Sequence, residues 1–373
     1  MRAATCKKAG LWSHWVQFLL LLRHEATMQA GLGAFPLVRA KGFGNLPLLL
    51  EQRLGEGRVA RVFQQEGLPL VLREQPHTPI LLRSMISLFS RSSGAVGDRT
   101  FGLDVGEEMT HKAYGLWLEY SANAPTLAEA IRRAMATSWA HMSGPSLSLT
   151  PAEGRHILRF SIPHTDNNRM HYADHILPPL LNFMHLYLGP KWRPDWIEVD
   201  YARDAEAYRV EERLQIPIHH ARPGTGLALS QADLHHKRIM TQIHPVRLVT
   251  LRDVFADVAL TNAPEPIQAF CAVVALRLLD GKADIEGAAE MVGVSIQGLQ
   301  RRLRQKGFTY REIVNEARCN RALRLLLETR MTILDIALTL GYETHGSFIR
   351  AFTRWMNCTP SEYREQQAKM CLQ

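Results

Sequence analysis

Cysteine is scarce in this 373-residue chain: Cys6, Cys271, Cys319, Cys358 and Cys371 are its five, and no two form a C-x-x-C pair. A disulfide framework or cysteine-rich zinc module is therefore not expected, and reduced thiols in a cytoplasmic protein are the simpler reading. Long apolar runs are also lacking. The best of them, Leu11 to Leu22, is interrupted by Ser13, His14 and Gln17. It is too short to span a bilayer, so no membrane role is expected. No phosphate loop, nucleophile elbow or complete dinucleotide fingerprint occurs; Gly42-Phe-Gly44 is only a fragment of the last. Carboxylates are scattered and no acid–base pair can be nominated. The expectation is a non-enzyme without a cofactor. Repeats and low-complexity tracts are absent as well.

What is present is an ordinary globular composition with a basic tilt. Hydrophobic residues make up 46% and charged residues 21%, which excludes disorder. Lys and Arg number 44 against 36 Asp and Glu, for a net charge of +8. The excess is concentrated: residues 295–330 carry nine basic and three acidic side chains. Such a local surplus favours a polyanionic partner.

Residues 1–33 carry Arg2, Lys7 and Lys8 ahead of the apolar run, without a good cleavage site. They read as an amphipathic leader, or as sequence upstream of a true start at Met28. A boundary is expected at Asn262-Ala-Pro-Glu-Pro266, where two prolines disfavour helix before them. Between these limits, residues 34–262 read as an α+β domain. Asn45 to Leu54 and Pro79 to Ser90 show helical spacing, and Thr126-Leu-Ala-Glu129 is a capping box for a helix to about His141. Ser146 to Leu149 and His156 to Ile162 read as strands turning at Glu153-Gly154. Met170 to Leu188 looks helical, with Pro178-Pro179 expected to kink or split it. Trp196 to Tyr201 alternates, and Pro223 to Gly226 is a loop before another short strand.

Residues 263–373 read as all helix, with N-caps at Asp284, Ser295, Thr309, Thr332, Thr344 and Thr359. Two stretches share one plan, a short helix, a glycine turn and a second helix: Ile285 to Arg304 around Gly293, and Ile333 to Phe352 around Gly341. This is helix-turn-helix logic, in which the second helix enters the major groove of DNA. In the first unit Leu299 and Leu303 face the core, and Gln297, Gln300, Arg301 and Arg304 face outward. Gln and Arg can pair bidentately with adenine and guanine edges. In the second unit Phe348 and Phe352 are the core pair and His345, Ser347 and Arg350 are outward. A helix from about Thr309 to Glu328 joins the units. At about 1.5 Å per residue it spans roughly the 34 Å of one DNA turn.

The segment from Ile267 resembles the DNA-binding domain of AraC/XylS-type bacterial transcription regulators. The residues that carry the likeness are Ile336-Ala337, Gly341-Tyr342, Ser347-Phe348, Arg350-Ala351-Phe352, Arg354-Trp355, Thr359-Pro360 and Tyr363-Arg364. Gly115-Leu116, Pro125 to Ala130 and Leu214 to Pro217 resemble the arabinose-binding-like domain that accompanies it. The resemblance implies contacts to double-stranded promoter DNA through the outward residues named above. It also implies a small-molecule effector or dimerisation through the amino-terminal domain, a homodimer, and contact with RNA polymerase as an activator. The sequence departs from the pattern at Gly298 and Gly346, inside the recognition helices, and at Thr353, where a phosphate-contacting Lys is common.

Two other readings stay open. One is a DNA-repair methyltransferase that borrows the DNA-binding domain, for which Cys6 is the only cysteine outside that domain. The other is a regulator whose amino-terminal domain binds a protein. Histidine is abundant: His171 and His175 are i,i+4, a spacing zinc can use, and His219-His220 and His235-His236 add more. Without clustered Cys or an H-E-x-x-H pattern no metal is expected. Trp117, Tyr120, Trp139, His141 and Tyr172 can serve a pocket or a core equally, so effector contacts are not assigned.

Overall fold

A computed structural model describes residues 35–162, 168–239, 248–256 and 267–370. The expected leader over 1–33 and the proline-rich junction at 262–266 lie outside the described residues. The chain divides into two units, Pro36–Leu260 and one holding Thr261–Gln373 together with Phe35. The first mixes helices and sheets and the second is all helix, the fold class the sequence predicts.

Among the described residues, eight strands build two sheets in the amino-terminal unit. β1 (Leu37–Arg39), β2 (Pro79–Leu81) and β3 (Met142–Ser143) pair in the order β2-β1-β3. Residues 79–81 are thus strand, and the helix expected from Pro79 begins at Leu82 instead. β2 is an edge strand, where a proline is tolerated because one side of its ladder needs no donor. β4 (Ser146–Ala152) and β5 (Arg155–Ser161) form the expected hairpin. Glu153 and Gly154 both turn at positive φ, as a two-residue loop with the right twist requires. β6 (Ile197–Glu198), β7 (Ile218–His219) and β8 (Thr225–Leu229) complete a sheet of order β4-β5-β8-β6-β7.

Among the described residues ten helices accompany these sheets: α1 (Leu46–Leu54), α2 (Glu56–Gln65), α3 (Leu82–Val96), α4 (Phe101–Glu107), α5 (Leu116–Ala122), α6 (Leu127–Thr137), α7 (Met170–Leu188), α8 (Ala207–Leu214), α9 (Gln231–Leu234) and α10 (Leu251–Ala256). Leu177, Met184 and Tyr187 of α7 share one core with Leu127 and Ile131 of α6 and with Ile197 and Leu227 of the larger sheet. The prolines do not split α7, which runs unbroken through Pro178 and Pro179. Pro179 has no N–H for the carbonyl of His175, four residues back. That face of α7 meets α4 at two glycines. A Cβ on Gly106 would lie 2.4 Å from the His175 carbonyl oxygen, and one on Gly102 would lie 2.3 Å from that of His171. Only glycine lets the backbones close to this range, where Cα–H groups face the carbonyls. Beside this seam the buried Arg99 guanidinium pairs with the fully buried Asp174, whose other oxygen accepts from Tyr201 Oη at 2.5 Å.

Among its described residues the carboxy-terminal unit has seven helices: α11 (Ile267–Arg277), α12 (Ile285–Val292), α13 (Ile296–Gln305), α14 (Tyr310–Glu328), α15 (Ile333–Thr339), α16 (His345–Met356) and α17 (Pro360–Met370). Each expected N-cap is present. Asp284, Ser295, Thr332 and Thr344 accept from the backbone N–H three residues on, and Thr309 forms a full capping box with Glu312. Thr359 and Glu362 exchange the same pair of bonds. Among the described residues no helix is long and apolar enough to cross a membrane.

Candidate nucleic-acid interface

Each helix-turn-helix is assembled by one small-residue helix, one left-handed glycine and one capped second helix. In the first, α12 buries Ala288 and Ala289, Gly293 turns the chain at φ 69°, and Ser295 opens α13. Leu299 and Leu303 of α13 are fully buried. Their burial turns the opposite face of the helix outward. Gln297, Arg301 and Arg304 are exposed there and Gln300 is half-buried. Arg302 behaves differently, since its guanidinium lies 5.3 Å from the centre of the Phe35 ring.

In the second unit Ala337 of α15 is buried, Gly341 turns at φ 73°, and Thr344 opens α16. Phe348 and Phe352 are fully buried and meet edge to face at 5.8 Å, with Tyr363 of α17 packed on Phe352 at the same distance. His345 and Arg350 are exposed. Ser347 Oγ is half-buried, sharing a hydrogen bond with Thr344 Oγ1 at 2.8 Å and accepting from Arg350 at 3.1 Å. Gly346 costs the helix backbone freedom but faces no crowding, its nearest neighbour being the Arg350 guanidinium at 3.5 Å.

The 19-residue α14 joins the two units. At about 1.5 Å per residue it is roughly 28 Å long. It also clamps the second unit. Arg318 donates to the carbonyls of Leu340 and Gly341 at 3.0 and 3.3 Å, completing the end of α15, and its guanidinium lies 4.7 Å from the Tyr342 ring centre. Arg364 of α17 does the same for the far end, donating to Leu326 and Met331 at 3.0 and 2.8 Å. Between α14 and α16 runs a groove of about 1040 Å³ that includes Arg311, Arg318, Arg350 and Arg354 in its walls. Sequence reasoning assigned no contact to Arg311, Arg318 or Arg354, although Arg354 is among the residues that carry the family likeness. Their signal was the basic surplus of 295–330 and the i,i+4 spacing of Arg350 with Arg354.

Neither Cys271 nor Cys319 is an activated nucleophile. Burial pushes the Cys271 and Cys319 thiols up to about 12, and a thiolate is what such chemistry needs. Cys6 lies outside the described residues. Among the described residues no three His, Cys, Asp or Glu side chains gather as a metal site.

The family described as a helix-turn-helix domain matches residues 288–366. The family described as the arabinose-binding domain of AraC transcription regulator, amino-terminal, matches residues 57–237. A probable transcription factor PqrA of Proteus vulgaris is 39% identical over 82 residues, which are 22% of this chain and 67% of that protein. The chain belongs to the AraC family of transcription regulators. As such it is a DNA-binding regulator that carries an arabinose-binding-like domain ahead of its helix-turn-helix units. The ornithine utilization regulator of Pseudomonas aeruginosa, also similar, is 38% identical over 82 residues, 22% of this chain and 24% of that one. The chain thus spans about a quarter of the length of that curated relative. The crystal structure of transcriptional regulator CdpR from Pseudomonas aeruginosa aligns over 82% of this chain and 97% of its own, at 20% identity and a TM-score of 0.37.

Proposed function

We infer that this AraC-family chain is a one-component regulator that reads promoter DNA with α13 and α16. The observation that supports it is the sorting of both helices. Leucine or phenylalanine pairs fix one face in the core, and Gln297, Gln300, Arg301 and Arg304, or His345, Ser347 and Arg350, are turned away from it. Gln and Arg are the side chains that pair with adenine and guanine edges. The basic groove between α14 and α16 suits the phosphate backbone, which positions the reader without specifying sequence. The amino-terminal unit senses a small-molecule effector, or dimerises, and the DNA-bound protein contacts RNA polymerase as an activator. An effector acts by favouring one state of the protein, and by no more than its difference in affinity for the two.

The test is selection of bound fragments from sheared genomic DNA, with an Arg301→Ala control. Discrete promoter sites are expected for the wild type. The control should lose about 1–3 kcal/mol at one base-pair position and relax specificity there. Equal enrichment by both proteins at the same sites would overturn the role of Arg301. No enrichment by the wild type, with and without extract of small molecules, would overturn the promoter reading.

A further inference from the structure

We propose that a cavity in the amino-terminal unit is the effector site, and that it takes an uncharged, mainly apolar molecule ending in a hydrogen-bonding group, not a sugar. This rests on the reading of the chain as an effector-controlled regulator. The cavity holds about 780 Å³ counting its mouth, and β1, β3, β4, β5 and helices α3, α5, α6 and α7 all contribute to its wall. Met85, Leu158, Phe160, Ile176, Leu180 and Phe183 are typical of that wall, and among the described residues no Asp, Glu, Lys or Arg belongs to it.

A sugar presents a hydroxyl on nearly every carbon, and each must find a partner when it leaves water. This wall supplies few. The Trp117 indole N–H is already spent on the Ala134 carbonyl at 2.9 Å. Beyond the Tyr114 and Tyr172 hydroxyls two histidines remain: Nδ1 of His141 is buried without a hydrogen bond, and the His175 ring engages only the backbone, at Tyr172 and Gly42. The side chains are 5% and 1% exposed, deep enough that a missing partner matters. Both rings are held in place. His141 stacks on Trp117 at 5.2 Å with Tyr114 edge-on at 5.3 Å, and His175 lies against Phe89 at 4.3 Å with Nδ1 3.3 Å from the Tyr172 carbonyl. Burial keeps both imidazoles neutral, His141 held down to about 3 and His175 to about 4. Neither can balance a carboxylate, so an acid would bury its charge unpaired. A hydroxyl or amide on an apolar body meets an orphaned ring nitrogen as donor or acceptor, and buries the rest against the wall.

The experiment uses the full chain and the neutral fluorescent probe N-phenyl-1-naphthylamine. Saturable binding is expected, with 1-naphthol displacing the probe about fivefold better than naphthalene, while 1-naphthoate and L-arabinose displace nothing. Ala134→Phe, which fills the cavity, should weaken the probe at least about tenfold. If that variant does not fold, Leu118→Trp on the half-buried part of the wall takes its place. His141→Phe should keep the probe and erase the advantage of naphthol over naphthalene. Displacement by arabinose or naphthoate would overturn the proposal. So would probe binding that is unchanged in a folded, filled variant, or no binding by the wild type. Promoter selection is scored on the same preparation. Loss of DNA binding with the probe bound counts against the regulator reading alone, and the reverse counts against the cavity alone.

Discussion

Replacing one glycine by alanine should have opposite signs at two places in this protein. At Gly102 the new methyl carbon would sit 2.3 Å from the backbone oxygen of His171. An ordinary carbon–oxygen approach is about 3.3–3.6 Å, so α4 and α7 must part by roughly 1 Å. The obstacle is backbone, which has no rotamer to change, and Gly106 lies in the same seam one turn on. Overpacking of this kind costs about 1–3 kcal/mol, and this seam belongs at the upper end. For a unit of this size that is a fall of roughly 6–12 °C in melting temperature. At Gly346 the methyl meets only the mobile end of Arg350 at 3.5 Å, and the helix gains about 0.5–1 kcal/mol from a stiffer backbone. Urea unfolding of the full chain, followed by circular dichroism and tryptophan fluorescence, reads both. A cost of less than about 1 kcal/mol at Gly102→Ala, or any destabilisation at Gly346→Ala, would refute the packing argument.

Three further outcomes are expected. Burial, reinforced by the cations of Arg39 and Lys41, holds His141 down to about 3, so the unfolded chain takes up its proton first. Its contribution to stability is complete above a pH of about 6.5 and drains as pH falls toward about 3, by up to about 1.4 kcal/mol per pH unit. Unfolding titrations at pH 4.5 and 7.5 should therefore differ less in His141→Phe than in the wild type, and an unchanged difference would refute the assignment. Arg318→Met strips two carbonyls at the end of α15 of their donor. It should cost about 2 kcal/mol, read by Trp355 fluorescence, with Arg318→Lys recovering only part because an ammonium cannot fork. Finally, Arg350→Ala and Arg354→Ala should each flatten the salt dependence of DNA binding, by about one unit of slope for each phosphate no longer neutralised.

Much of the carboxy-terminal unit was legible because its helices announce their ends. Ser295, Thr309 and Thr344 each hold a hydroxyl where the first free amides need an acceptor, and Gly293 and Gly341 each stand where the turn goes left-handed. The amino-terminal unit was less legible for reasons of scale. β1, β2 and β3 have two or three residues each, too few to show a period of two. α7 hid its continuity because proline counts as a breaker, while Gly106, far earlier in the chain, makes room against the freed His175 carbonyl. Of the aromatics that fit a pocket or a core, Trp117, His141 and Tyr172 line the cavity. Tyr120 instead lies under the Arg133 guanidinium at 4.9 Å, and the side chain of Trp139 is outside the described residues. Arg318 was hidden in a run of charges, because only the fold brings it to carbonyls more than twenty residues away.

On the proposed reading of DNA by α13 and α16, the unbroken helix between the two would make the chain a counter of base pairs. A flexible tether would let each reader find its own groove, and promoters could gain or lose nucleotides between subsites. A strut tied to the first unit by Tyr310 Oη, which donates to the Asp284 carbonyl at 2.9 Å, and to the second by Arg318 and Arg364 has no slack to give. Adding about five base pairs turns the second subsite to the far side of the duplex. Its promoters would then drift in letter at the contacted positions far more freely than in length between them.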